Sequence, residues 1–345
     1  MKAIAQRRDT ASVESLVDRV LCHDVRDAAG KVALPKGARL DAAAAAQLLA
    51  LPWQEIHLVA LDFGDVHEEE AGRRLAAAVT GEGVEVKGYT GGQWTLASSR
   101  RGLLRVNAAA LASVNVHEGM SVFTLFSGQP METGEIVARA KVTPLAIAEQ
   151  TVADVERLAA ARGVIAVTAF RATTLGAVAR ESLEARQRAR FETALRQKID
   201  WLGGRLLPVR FTGGSARAVA DELRALRDSG AEVLIVAGAS ALDPLDPVFG
   251  ALALLGARME RHGAPAHPGS LLWLARWEAL PVLGMPTCGM FSQATTFDLV
   301  LPRLLAGEPV GNREIAELGH GGLLSREMAY RFPPYRADAA RGELE

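Results

Sequence analysis

The chain has 345 residues, 49% apolar and 23% charged, which excludes disorder over most of its length and exceeds the roughly 250–300 residues that one core usually serves. Its 39 basic and 40 acidic side chains leave a formal charge of -1, so no net field draws it to nucleic acid or to an anionic membrane. Cys22 and Cys288 stand far apart without CxxC spacing, which excludes a disulfide framework and a cysteine zinc site.

The first twenty residues mix charges and lack an apolar stretch followed by small residues. No run of eighteen apolar residues is present to cross a bilayer. The expectation is a cytoplasmic protein, with no membrane, that takes a small ligand or a protein partner. In residues 1–54, KVALPKGARLDAAAAAQLLALP reads as a short strand, a turn and an alanine-rich helix capped by Asp41.

Residues 55–163 read as an α+β region. EIHLVALD is a strand, and GDVHEEEAGRRLAAAVTG is a helix entered at Asp65, with Glu68 closing a capping box. From Gly83 to Leu145 the signals are strand-like and turn-rich, and TVADVERLAAARG returns to helix.

Residues 164–330 change texture, alternating strands with helices. LEARQRARFETALRQKIDWLGG places Phe191, Leu195, Ile199 and Leu202 on one stripe, LLPVRF follows as a strand, and SARAVADELRALRDSG repeats the pattern with Val219, Leu223 and Leu226. VLIVAG, a helix from Pro247 to Gly256, the strand-like runs LLWLAR and ALPVLGMP, and a helix from about Cys288 to Ala306 complete the series. The alternation predicts a mostly parallel sheet covered on both faces, an α/β domain following an N-terminal α+β region. Residues 331–345 read as a loose tail.

Ligands of such sheets sit outside the carboxyl ends of the strands. Three loops meet that description: Arg180-Glu181-Ser182, Val236 to Asp246, and Gly284 to Ser292. In the second, Gly238, Ala239, Ser240 and Ala241 carry so little bulk that a ligand can reach the backbone amides, while Asp243 and Asp246 add acceptors. A tight turn with Asp243 or Asp246 capping the next helix before Pro247 accounts for the same composition. In the third, Pro286 ends a strand, and Thr287, Cys288 and Gly289 lead toward a helix whose amides would suit an anion and whose N-terminus would activate a thiol; an inert, small buried cysteine is the plainer reading.

FTGGSAR lacks the GK[ST] ending of a phosphate loop and reads as a simple turn. None of the seven histidines forms HExxH or a helical i, i+4 pair, the run His67 to Glu70 reads as a solvated first helical turn, and no GxSxG signals hydrolase chemistry.

The order TTLGAVARES, AEVLIVAGASALDPLD, APAHPGSLLWLARWEALPVLGMP and LVLPRLLAGE resembles the molybdopterin-binding domain shared by molybdopterin adenylyltransferase, molybdopterin molybdotransferase and gephyrin. The likeness covers about Val164 to Gly307, with LPKGARL and GDVHEEEA as less specific echoes upstream. It implies a three-layer α/β/α fold that binds molybdopterin or the molybdenum cofactor at the carboxyl edge of the sheet, in transferases that handle molybdate or a nucleotide with magnesium. Gly238 and Ser240 resemble the family's GGxS loop and Asp243 its following aspartate; Pro286 resembles the opening of its PGNP-type loop, and Pro268 with Gly269 the PG of its PGKP segment.

On that resemblance Glu181, Asp243 and Asp246 would be catalytic, with magnesium at Asp243. Gly238 to Ala241, Thr287 to Gly289 and Ser292 would hold the pterin phosphate. Homo-oligomers and a molybdoenzyme acceptor are implied partners. The sequence departs from the pattern at Ala237, at Leu242, at Thr287-Cys288-Gly289 and at Gly213-Gly214, where glycines replace an expected acidic pair. Loss of carboxylates weakens a site for a hard cation, which leaves a non-catalytic carrier or scaffold as the alternative to a transferase, and an unrelated nucleotide-dependent α/β enzyme as a third reading.

Overall fold

A computed structural model describes residues 1–180, 184–290 and 294–335, and its chain is shared between two units interleaved in sequence. Met1–Ser99, Val106–Ser127 and Thr133–Val167 make the first; Arg100–Arg105, Gly128–Glu132 and the chain from Thr168 make the second. Glu181 and Ser292 lie outside the described residues. Among the described residues no helix is long and apolar enough to cross a membrane.

The first unit opens with β1 (Lys2–Arg7), β2 (Arg19–Leu21), the hairpin β3 (Val25–Arg26) and β4 (Val32–Leu34), α1 (Ala42–Ala50) and β5 (Glu55–Ala60). β5 lies between β1 and β2, antiparallel to both. Asp41 caps α1 as its sequence requires, Oδ1 accepting from Ala44 N–H at 2.7 Å. Leu21, Leu40, Leu48, Ile56 and Leu58 close a small core.

Next come β6 (Asp65–His67) and α2 (Glu68–Val79). The helix is entered at His67 and not at Asp65. The cause is tertiary: residues 65–67 are held extended by pairing with β11 (Ala146–Ala148), Val66 opposite Ile147, and Asp65 instead accepts from Asp62 N–H. β7 (Val84–Thr90), β8 (Gln93–Ser98), β9 (Met120–Thr124) and β10 (Ile136–Val142) form an antiparallel sheet of order β9-β10-β8-β7. Within the region expected to be β-rich lies α3 (Ala108–Asn115), where Asn107 caps an alanine run, Oδ1 accepting from Ala110 N–H at 3.1 Å. α4 (Glu149–Arg162) closes the unit, with Arg74 of α2 bridging its Glu149 and Glu156.

The second unit holds β12 (Thr174–Ala179), α5 (Ala185–Trp201), β13 (Arg205–Leu206), β14 (Arg210–Phe211), α6 (Ala216–Asp228), β15 (Val233–Ala237), α7 (Pro247–Leu254), β16 (Arg258–His262), β17 (Trp273–Trp277), β18 (Leu280–Met285) and α8 (Phe297–Leu305). One sheet runs β13-β12-β15-β18-β17-β16, and β14 also pairs with β12. LLPVRF, expected as one strand, becomes the two short strands β13 and β14 on either side of Pro208, which has no N–H for a ladder.

The sheet is mixed. β12, β15 and β18 are parallel, but β18 meets β17, and β17 meets β16, antiparallel. Trp277 pairs with Leu280, and a link as short as Glu278-Ala279 can only make a hairpin, because a parallel connection needs a crossover of a dozen residues or more.

Side-chain alternation feeds two cores. Leu175, Ala177 and Ala179 join Phe191, Leu195 and Ile199 of α5 and Phe297 of α8; Val178 joins Val219, Leu223 and Leu226 of α6 and Val248 of α7. Each fully buried residue of these stripes contributes about 1.5–3 kcal/mol of hydrophobic stabilisation.

In the first of these cores, Lys198 Nζ donates to Asp298 Oδ1 at 2.5 Å, with both side chains buried. Asp298 Oδ2 also accepts from Thr295 N–H at 2.8 Å. The segment expected to be a loose tail starts with docked residues: Pro333 is buried, and the Tyr335 ring lies 4.9 Å from Lys198 Nζ. Burial of the Tyr335 hydroxyl, reinforced by the neighbouring Asp298 carboxylate, pushes its pKa upward.

Candidate functional site

Strand register decides which loops meet. Ala179 pairs with Phe211 and Ala237, and Ala237 with Met285, so four parallel strands end level, and the chain following each leaves by one edge. β16 ends at His262 opposite Trp273, which lies opposite Gly284. The connection carrying Pro268 and Gly269 therefore rises from that same edge.

The loop after β15 begins at Gly238 with φ +79°, a conformation that favours glycine. From there it is tied down by its own residues. Asp246 is 2% exposed; its Oδ1 accepts from Val248 N–H at 2.9 Å, capping α7, while Oδ2 accepts from Ser240 N–H at 2.9 Å and Arg180 Nη2 at 2.6 Å. Asp243 is exposed and folds its Oδ1 back onto Leu245 N–H at 2.9 Å. His262 Nε2 lies 2.7 Å from Ala241 O. Ser240, Leu242 and Leu245 are exposed on this loop, while Ala239 and Ala241 are partly buried.

Arg180 supplies the cationic group. It follows β12, its N–H donates to Ala237 O at 2.9 Å, and its Nε is buried with no acceptor among the described residues. With Nη2 committed to Asp246 and the side chain 23% exposed, the guanidinium places positive charge beside the loop.

The remaining candidates divide. Thr287 and Cys288 are exposed at the edge, and Gly289 is buried. Cys288 stands in the 3-10 turn Thr287–Gly289 and not at the head of α8, which starts at Phe297, so the helix-terminus argument for an activated thiol has no basis here. Pro268 and Gly269 are engaged structurally: the His267–Pro268 bond is cis, Pro268 O accepts from Thr296 N–H at 3.0 Å, and a Cβ on Gly269 would stand 2.7 Å from Thr296 N. FTGGSAR is a turn into α6, Ser215 Oγ accepting from Ala218 N–H.

Among the described residues the donor set does not fit magnesium. Among the described residues no three His, Cys, Asp or Glu side chains gather as metal ligands, both Asp246 oxygens are engaged, and Asp243 stands apart on the exposed loop. No chemical step is assigned to a metal here.

Sequence reasoning missed Arg180 and His262 as loop anchors. Arg180 sits beside Glu181, the acid that the family pattern singles out, and His262 carries no metal-ligand spacing, so neither has a sequence signal for this role. Replacing Asp246 by alanine should lower the unfolding free energy by about 2 kcal/mol in urea titrations, and by asparagine about 1 kcal/mol, since asparagine caps equally well but leaves Arg180 without its counter-ion.

In comparisons of sequence, no protein family and no curated protein matches this chain. Among solved structures, the molybdopterin biosynthesis MoeA protein from Pyrococcus horikosii is 14% identical, with 70% of this chain and 79% of that one covered and a TM-score of 0.30. A NadC deletion mutant is 12% identical, with 54% and 78% covered and a TM-score of 0.17. Neither likeness places the chain in a family.

Proposed function

We propose that the second unit binds molybdopterin or the molybdenum cofactor at the carboxyl edge of its sheet, in the manner of a three-layer α/β/α pterin-binding domain. The observation that carries this reading is the level ending of β12, β15 and β18, which gathers Arg180, the Gly238–Ala241 loop and Thr287-Cys288 on one edge. The N–H groups of Ala239 and Ala241 and the hydroxyl of exposed Ser240 would meet the phosphate, and the partly exposed Arg180 guanidinium would add charge. Bound there, the pterin would supply its dithiolene for metal; the protein's part is to hold and orient it.

Carriage or hand-over to a molybdoenzyme is favoured over transfer chemistry, because Asp246 is consumed in positioning Arg180 and the loop, and Asp243 is the one exposed acid of that loop. A transferase acting on molybdate or a nucleotide would need Glu181 to complete its acidic set.

The test is to purify the chain from a host that makes molybdopterin, oxidise it and measure the fluorescent pterin released. Near-stoichiometric pterin is expected, persisting after EDTA treatment and falling at least about tenfold in Gly238→Val. Absence of pterin, or full retention in that folded variant, overturns the assignment.

A further inference from the structure

The first unit contains a cavity of about 500 Å³, within the range of small-molecule sites. It opens between the turn after β4, the head of α2 and the tip of the β7–β8 hairpin. Glu68, Glu69, Asp24, Lys36, Lys141 and Tyr89 line it. Both signs of charge are present, yet none of these acids makes an ion pair with either lysine among the described residues.

Glu68 is the decisive group. It is only 6% exposed, and its carboxylate, which lines the cavity, has no hydrogen-bond partner among the described residues. The rest of the side chain is packed away, so the carboxylate is fixed in place with its oxygens open to the cavity, where a cationic group can meet them. The surrounding backbone makes room for it: a Cβ on Gly37 would stand 2.6 Å from Glu68 Oε1, while the Gly37 N–H is turned away to Leu21 O.

The neighbouring histidine is turned to other partners. His67 Nδ1 accepts from Glu69 N–H at 3.3 Å, which puts the ring proton on Nε2, 2.8 Å from Gly37 O. The negative field extends across the cavity, since burial and then the charges of Glu68 and Glu69 raise the Tyr89 hydroxyl. A metal is not the missing cation, because no three ligating side chains gather among the described residues.

We infer that this cavity is a binding site for a small zwitterion, an ammonium joined to a carboxylate or phosphate, with Glu68 holding the ammonium and Lys36 and Lys141 the acid group. The lining carries three carboxylates and two ammonium groups, so groups of both signs are at hand for the two ends of such a ligand. The site lies in the first unit, so its test stands apart from that of the pterin reading.

The experiment is isothermal titration calorimetry on the full chain with L-glutamine and phosphoethanolamine, against butylamine and butyrate as single-charge controls. At least one zwitterion should bind saturably with Kd near or below about 1 mM, and each control at least about tenfold more weakly. L-Glutamine alone would identify an amino-acid ligand, phosphoethanolamine alone an aminoalkyl phosphate, and either supports the site. Glu68→Gln should weaken binding about tenfold or more; where that variant fails to fold, Lys141→Gln, on an incompletely buried strand position, should weaken it similarly.

Failure of both zwitterions to bind at about 10 mM, butylamine binding as tightly as either, or unchanged affinity in a variant shown by thermal melting to be folded would overturn the inference.

Discussion

Replacing Asp298 by alanine is expected to lower the free energy of unfolding by about 3–5 kcal/mol, read from urea titrations of the full chain. The carboxylate is 0% exposed and receives Lys198 Nζ, itself 2% exposed, at 2.5 Å. Its removal takes from the buried Lys198 ammonium the carboxylate it donates to, and losing one partner of a buried pair costs more than the pair is worth when intact. The Thr295 amide loses its acceptor as well. Lys198→Met combined with Asp298→Leu should recover much of the loss, because the double change removes both charges while retaining volume. A single substitution costing under about 1 kcal/mol would mean that water or another group reaches Lys198.

The second large effect is expected at Gly284. Trp273 is 1% exposed and lies across the sheet from Gly284, where a Cβ would stand 2.1 Å from the indole ring. Such an approach cannot be relieved by a rotamer change at the end of a flexible chain, since the offending atoms are a buried ring packed on Phe249 at 5.8 Å between centroids. Gly284→Ala should therefore lower stability by about 3 kcal/mol or more. Trp273→Leu added to it should restore part of the loss, as couplings between touching residues do not sum. If alanine at 284 shifts stability by less than about 0.5 kcal/mol, the contact does not restrain the strand in solution.

These two sites show what could be read beforehand and what could not. The stripes of α5 and α6, the Asp41 cap and the turn at Ser215 were legible because each is decided within a few residues, by helical spacing or one side-chain oxygen. The edge where candidate loops converge was legible too, since strands joined by crossover helices end their loops on one side. The Lys198–Asp298 pair was not, because its partners are 100 positions apart and lysine on a helix normally reaches water.

β16 was overlooked for a related reason: RMERH is polar and alternates weakly, and it becomes a strand only because β17 offers it an edge. α3 was lost among strand signals although Asn107 and its alanines state a helix plainly. At the site, Asp243 and Asp246 looked alike in sequence. Pairing with Arg180, 66 positions away, buries one and leaves the other in solvent.

The alternation of the two units along the chain bears on how the protein is made. Residues 100–105 and 128–132 leave the ribosome well before Thr168 and the strands that follow, so the second unit has two of its pieces waiting while its sheet is still being synthesised. The first unit, conversely, must close around two excursions that belong elsewhere. Neither can be excised as one continuous stretch, and a protease cut near residue 164 would divide the second unit's own members between two fragments.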